Sequence, residues 1–235
     1  MQDGTPVSVG SPPIDELLGG GLERGTVTQV YGPPGAGKTN LALSAAVAAA
    51  ASDERAVFID TEGLSPERLE QLAAGAVGAE AVADVTDRVL VSAAHDFDEQ
   101  AEAVRDAAGL APEAGLIALD SATGFYRLRR RDDPEEAVGE ALRHVADQVA
   151  HLLGLARRHD LAVVITNQVF TDPEAGAIRP LGGHTLAHWC GTIVRIERFR
   201  GGNRRLVLEK HRSRSVGDAV RVRITDGGFA AVGEV

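Results

Sequence analysis

Residues 26–39 read TVTQVYGPPGAGKT. The first six are a β-branched apolar run, the composition of a buried strand. The last eight fit G-x-x-x-x-G-K-[ST], and an alanine-rich helical stretch, Thr39 to Ala51, follows. Strand, glycine loop and helix in that order give the pattern its meaning. Gly32, Gly35 and Gly37 let the backbone wrap closely around a ligand, with Pro33, Pro34 and Ala36 between them. The loop amides and the helix N-terminus present positive potential, so the loop is suited to phosphate. Lys38 is placed to reach β- and γ-phosphates, and the Thr39 hydroxyl to ligate Mg²⁺, with Asn40 beside them. The expected ligands are ATP and Mg²⁺.

Outward from this loop the segments alternate. AVFID (56–60), RVLVSA (88–93), GLIALD (115–120) and LAVVITN (161–167) read as strands. Between them lie a helix starting at Ser65-Pro66, another over 97–109, and a long one over 135–158. Apolar strands separated by helices predict a mostly parallel sheet covered on both faces, an α/β fold. The last third changes character. Residues 191–211 read as two strands around Gly201-Gly202-Asn203, and 219–232 as a second hairpin. A C-terminal antiparallel extension is therefore expected. With no long linker or repeat, the 235 residues read as one domain, residues 1–25 being a short lead-in.

Composition narrows the function classes. The formal net charge is -10, with 34 acids against 24 bases, and only Lys38 and Lys210 are lysines. An Arg-rich, acid-rich, aromatic-poor chain fits a salt-loving archaeon, although a GC-rich genome gives similar counts. That charge argues against nucleic-acid binding over the whole surface, so any such contact is local. Cys190 is the sole cysteine, which excludes an internal disulfide and fits a reducing cytoplasm. No apolar stretch approaches the ~20 residues of a membrane span. The N-terminus lacks the charged start and apolar core of a signal peptide.

Three strand ends carry further chemistry. Asp120 closes GLIALD, the place where a carboxylate holds Mg²⁺ through water in P-loop proteins; a plain turn residue is the alternative. Glu62, in FIDTEG (58–63), sits at the carboxyl edge, where it can activate a water or be a surface turn residue. Asn167 and Gln168 end VVITNQV, where an amide can bond a γ-phosphate or simply cap the strand.

Together these pieces resemble the RecA-like recombinases, and the short archaeal branch of that family most closely. The matching stretches are IDELLGGGLERGTVTQVYGPPGAGKTNLAL (14–43), FIDTEG with SPERL (65–69), LDSATGFYR (119–127), VVITNQV, PLGGHTLAHW (180–189) and LEKHRS (208–213). The P-loop alone is not specific, but this ordered set is. The resemblance implies a RecA-like P-loop core, Glu62 as catalytic glutamate with Lys38, and Gln168 as γ-phosphate sensor. It also implies that His188 faces a neighbour's nucleotide. KHR (210–212) is similar to the K-x-R element of related ATPases, which makes Lys210 and Arg212 candidate trans-acting cations. Solvated ends of an edge strand are the alternative.

The family's first DNA loop corresponds to residues 124–135 and its second to 170–181. Arg127, Arg129, Arg130, Arg131 and Arg179 are the candidate DNA contacts, and the following DDPEE reads as the acidic first turn of the long helix. The second loop looks short and acidic, and the family's N-terminal DNA-binding domain is not recognisable. The resemblance thus implies weak ATPase activity, DNA binding without strand exchange, and support of the main archaeal recombinase. Implied partners are single-stranded or branched DNA, that recombinase, a junction-cleaving nuclease and further copies of the chain, with no membrane. Two other readings stay open: an active strand-exchange recombinase, and a KaiC-like signalling ATPase, although that group has paired glutamates where DTEG has one. Residues 195–214 carry eight bases and two acids, a strip that either meets a polyanion or pairs with surface acids.

Overall fold

The computed structural model describes residues 4–132, 134–171 and 178–232. In chain order the elements are α1 (Pro12–Leu18), β1 (Val27–Tyr31), α2 (Lys38–Ala51), β2 (Arg55–Asp60), α3 (Pro66–Val77), α4 (Val82–Thr86), β3 (Val89–Ala93), α5 (Phe97–Leu110) and β4 (Ala114–Asp120). Then come α6 (Gly124–Asp132), α7 (Glu135–His159), β5 (Ala162–Asn167), β6 (Val169–Thr171), β7 (Ile178–Pro180), α8 (Gly183–Trp189), β8 (Thr192–Arg198), β9 (Asn203–Lys210), β10 (Ala219–Thr225) and β11 (Gly228–Ala231).

Nine strands form one sheet in the order β11-β10-β9-β8-β1-β5-β4-β2-β3. From β8 to β3 every pairing is parallel, and from β8 to β11 every pairing is antiparallel. The expected parallel core with a C-terminal antiparallel extension is what forms. Strand alternation fills both faces. Phe58, Leu116, Val164, Ile196 and Leu206 face Leu41, Ala45 and Leu72 of α2 and α3. Ile59, Ile117, Leu119 and Ile165 face Val104 of α5 and Val145, Val149 and Leu152 of α7. The 3.6-residue spacing read from the long helix is therefore its buried face.

Two expectations change. The segment after β4, expected as a loop, is the helix α6. Arginine is a good helix former, and the Arg127 amide donates to the Thr123 carbonyl at 3.0 Å to start the turn. Only Tyr126 of its apolar residues is buried while Leu128 is 46% exposed, so no apolar stripe marks the helix in sequence. The acidic run divides accordingly. Asp132 ends α6, Pro134 precedes α7, and Glu135 and Glu136 form the acidic first turn; Asp133 lies outside the described residues. The second change concerns Trp189, which stands just before the strands read over 191–211. It ends helix α8, and Cys190 begins the extended stretch into β8.

Helix α3 meets the β10–β11 turn closely. A Cβ on Gly75 would lie 2.5 Å from Gly227 Cα and 3.2 Å from the Gly227 carbonyl oxygen. Helix propensity alone makes Gly75→Ala stabilising by about 1 kcal/mol. The contact reverses that sign, so urea denaturation of Gly75→Ala is expected to show lower stability. A rise would mean that the turn yields freely.

Candidate nucleotide-binding site

The P-loop runs from the end of β1 to the start of α2. Gly32 passes against β8, where a Cβ would sit 2.4 Å from the Ile196 carbonyl oxygen. Gly37 has φ +110° and a Cβ there would meet Ile224 at 2.7 Å, so both positions require glycine. No side chain caps the first turn of α2, which leaves its amides facing the cavity. Lys38 is buried, and its ammonium donates to the carbonyls of Gly32 at 3.0 Å and Pro33 at 3.3 Å. Burial lowers its pKa, and the charges of Glu62 and Asp120 pull the other way. The cavity encloses about 400 Å³ and is lined by Gly35, Gly37, Lys38, Thr39, Asn40, Glu62 and Gln168, with Pro34, Arg204 and Ile224 at its walls. The loop residues, Glu62 and Gln168, far apart in sequence, therefore share one site.

Asp120 lies beneath them at the end of β4, almost wholly buried. Burial raises its pKa, while hydrogen bonds from Thr166 and Thr39 act to lower it. Thr39 and Asp120 are thus adjacent, as the magnesium reading requires. Asp60, at the end of β2, shapes the turn that presents Glu62. Its carboxylate accepts the amides of Glu62 at 3.1 Å, Gly63 at 3.0 Å and Leu64 at 2.5 Å. The Glu62 Oε1 then accepts the Ser121 hydroxyl at 2.9 Å and the Gln168 amide Nε2 at 2.6 Å.

Asn167 is not a simple strand cap. Its Oδ1 accepts the Thr123 hydroxyl at 2.7 Å, and its Nδ2 donates to the Leu181 carbonyl at 2.8 Å. The Leu181 amide in turn donates to the Gln168 carbonyl at 2.9 Å. The strand end is thereby tied to both α6 and the segment after β7.

His188, Lys210 and Arg212 do not join this cavity. Lys210 pairs with Ile193 near the start of β8, and β8 runs parallel to β1, so Lys210 sits at the amino edge, opposite the P-loop. Its ammonium donates to the Ala187 carbonyl at 2.8 Å, and Arg212 lies 3.7 Å from Glu23. The three residues line a separate cavity of about 410 Å³ with Trp189.

Arg127, Arg129 and Arg130 lie on α6, while Arg179 on β7 pairs with Phe170 on β6. The Arg130 guanidinium stacks over the Phe170 ring at 4.5 Å. Arg127, Leu128, Arg130, Phe170 and Leu181 line a groove of about 330 Å³. The Arg131 side chain and second-loop residues 172–177 lie outside the described residues. In the basic strip, pairing with acids prevails at Arg195 and Arg205, as it does at Arg212. Arg195 bonds Glu197 and, at 2.7 Å, Glu209, while Arg205 lies 3.6 Å from Glu197.

Sequence reasoning missed Arg68. Its guanidinium donates to Asn40 Oδ1 at 2.7 Å, the Thr225 carbonyl at 2.9 Å and the Asp226 carbonyl at 2.8 Å, fastening the β10–β11 turn beside the P-loop helix. A signal existed: a cation in the first turn of α3 opposes the helix dipole and needs another reason to be there.

The raised pKa of Asp120 carries a stability prediction. The folded carboxyl keeps its proton to higher pH than the unfolded chain, whose ordinary value is 3.8. Stability therefore falls as pH rises from that value through the raised folded pKa. Asp120→Asn is expected to stabilise the ligand-free protein against urea at pH 7, with the gain vanishing towards pH 4. A loss of stability at pH 7 would mean that the bonds from Thr166 and Thr39 outweigh the burial cost.

Comparison with known proteins agrees with this geometry. The Rad51 family model matches residues 3–229. The DNA repair and recombination protein RadB of Halobacterium salinarum is 59% identical over 233 residues, covering 98% of this chain and 97% of that protein. RadB of Methanococcoides burtonii is 40% identical over 217 residues, covering 92% and 93%. A crystal structure of the RadB recombinase superposes with a TM-score of 0.82 at 33% identity, covering 97% of this chain and 100% of that one. With the nine-stranded sheet, the P-loop and the ordered motifs all in place, the chain belongs to the Rad51 family of RecA-like proteins, within its RadB group of DNA repair and recombination proteins.

Proposed function

We propose that this chain is a one-domain, cytoplasmic ATP-binding and DNA-binding accessory protein of homologous recombination, with weak ATPase activity and no strand exchange of its own. The observation that carries the reading is the convergence of Lys38, Thr39, Glu62 and Gln168 on one cavity. Thr39 and Asp120 offer the hard oxygen donors that Mg²⁺ prefers, which supports the metal as well as the nucleotide. When bound, Mg²⁺ neutralises charge on the phosphates. Lys38 turns from the loop carbonyls to the phosphates. Glu62 takes the proton of an attacking water, held in position by Ser121. Gln168, bonded to Glu62 and to the backbone of Leu181, carries the state of the site to the segment after β5.

Slow turnover follows from placement. His188, Lys210 and Arg212 lie at the far edge of the sheet, so they can assist only the site of a second copy. DNA contact is assigned to the groove between α6 and β6–β7, where arginines flank Phe170. The main archaeal recombinase and a junction-cleaving nuclease are the proposed protein partners, by kinship with the RadB group.

ATP turnover measured with and without single-stranded DNA tests this reading. Slow hydrolysis with little stimulation and no strand exchange is expected. Strong stimulation together with strand exchange would identify a full recombinase instead. Glu62→Gln should keep ATP binding while lowering turnover by about 10²–10⁴-fold, the usual worth of a general base.

A second measurement addresses DNA. Replacing Arg127 and Arg130 by Ser should weaken single-strand binding and flatten its dependence on log salt by roughly 0.7 per lost phosphate contact. Unchanged affinity and slope would remove α6 from the interface.

A further inference from the structure

The β8–β9 hairpin sets Arg198 and Arg204 directly opposite each other in its antiparallel register. One rung along, Glu197 faces Arg205, a pair of opposite sign. Like charges facing each other destabilise a ladder, so the first rung needs an explanation that the second does not. Alternation supplies its direction. Val194 and Ile196 of β8 and Leu206 and Leu208 of β9 share the buried face beneath α2. Arg198 and Arg204 continue those two rows, and the rows end at the P-loop.

Arg204 grips that loop. Its Nε donates to the Ala36 carbonyl at 2.7 Å and its Nη2 to the Gly35 carbonyl at 3.2 Å. Its Nη1 donates to the carbonyls of Gly202 at 2.7 Å and Asn203 at 3.1 Å, which anchors the fork to its own hairpin. Arg198 approaches from the same side, its Nη1 3.2 Å from the point where a Cβ on Gly35 would stand. Arg204 also lines the cavity that holds Lys38, Glu62 and Gln168. Burial, and after it the Arg198 charge, lower the Arg204 pKa, which agrees with two cations held close together on this rung.

We propose that Arg198 and Arg204 are a pair of cations acting in cis at the phosphate site, Arg204 by positioning the P-loop and Arg198 by meeting the phosphates of a nucleoside polyphosphate. The proposal rests on the nucleotide-binding reading above. A carbonyl takes a guanidinium donor without cancelling its charge, whereas a polyanion cancels it, so bound phosphate relieves the Arg198–Arg204 repulsion. The positioning role follows from the planar trans peptide. With the Ala36 carbonyl held by Arg204, the Gly37 N–H of the same peptide unit points the opposite way. Arg204 thus fixes a loop amide from behind, while Arg198 places a second charge beside Gly35.

Calorimetric titration of Mg–ATP and Mg–ADP into wild type, Arg204→Ala, Arg204→Lys, Arg198→Ala and Arg205→Ala tests both roles. Arg204→Ala should weaken ATP and ADP alike by about tenfold to a hundredfold, the worth of charge-assisted hydrogen bonds. Arg204→Lys should recover only part of that loss, because an ammonium lacks the fork that spans two carbonyls. Arg198→Ala should weaken ATP more than ADP, changing their ratio, which a merely structural role would leave alone. Arg205→Ala, on the other face, should match wild type. If wild type binds ATP and both Arg204→Lys and Arg198→Ala bind it equally well, the pair is only structural and the proposal is overturned. If wild type itself binds no nucleotide, the reading on which the proposal rests falls first, and the two failures are told apart.

Discussion

A carboxylate buried at the centre of a sheet is the constraint around which this molecule is arranged. Removing an ion from water costs several kcal/mol even after a protein relaxes around it, unless partners replace the water. Asp120 ends β4 with only 1% of its surface exposed. Relief comes from two hydroxyls, Thr166 on β5 and Thr39 on α2, and from the charge of Lys38. The pKa remains raised despite them, so the relief is partial. A divalent cation is the species that would complete it, and the same imbalance makes the site unfavourable without one. Three elements must meet for even this partial relief, which explains why β4, β5 and α2 converge where they do.

From that point the carboxyl edge becomes a single connected device. Each strand that contributes a polar end also launches a segment on the same side. β2 launches the turn that Asp60 shapes around Glu62. β4 launches α6, and β5 launches β6 and β7. Thr123, Asn167, Gln168 and Leu181 are joined by hydrogen bonds, so the start of α6 and the end of the β6–β7 segment are fastened to the residue that touches Glu62. Such a chain can carry a change at the nucleotide to the arginine groove, because its links are continuous from Glu62 to α6 and Leu181. Energetic coupling of this kind needs two arrangements that both sites favour differently, and the Glu62–Gln168 bond is the link that a phosphate or water can replace.

Most of this was legible in the sequence because it lies in patterns of period and spacing. Continuous apolar runs gave the parallel strands, and Gly-rich turns gave the hairpins. Lys38, Thr39, Glu62 and Gln168 could be named because each lies just past a strand end, and strand ends of an open α/β sheet share an edge. What was not legible depends on contacts between distant segments. α6 lacks an apolar stripe, since one face packs on little and the other carries arginine. The basic strip reads as one patch in sequence, yet alternation divides it between two faces of the sheet. Arg195 and Arg205 meet glutamates on one face, and Arg204 meets the P-loop on the other. Arg204 acts on backbone carbonyls, which leave no mark in side-chain chemistry.

The division of cations between the two edges of the sheet bears on why such a protein would turn over ATP slowly alone. At the carboxyl edge the phosphate site is approached by Lys38, Arg198 and Arg204, all from one chain. On the proposed reading these cations would hold a bound polyphosphate, and binding that is equal in ground and transition states does not raise turnover. Acceleration needs charge placed where it develops during bond breaking. Lys210 and Arg212 have no route to that place within one chain, because the full length of β9 separates Lys210 from Arg204. On the proposed reading, a single copy would hold nucleotide more than consume it. A second copy would change the balance by adding cations without altering any residue already at the site. In an acidic chain with two lysines, Arg195, Arg205 and Arg212 of the 195–214 strip lie against glutamates, which leaves less charge for nonspecific contact. Binding to other macromolecules must then be local, as the proposed accessory reading requires.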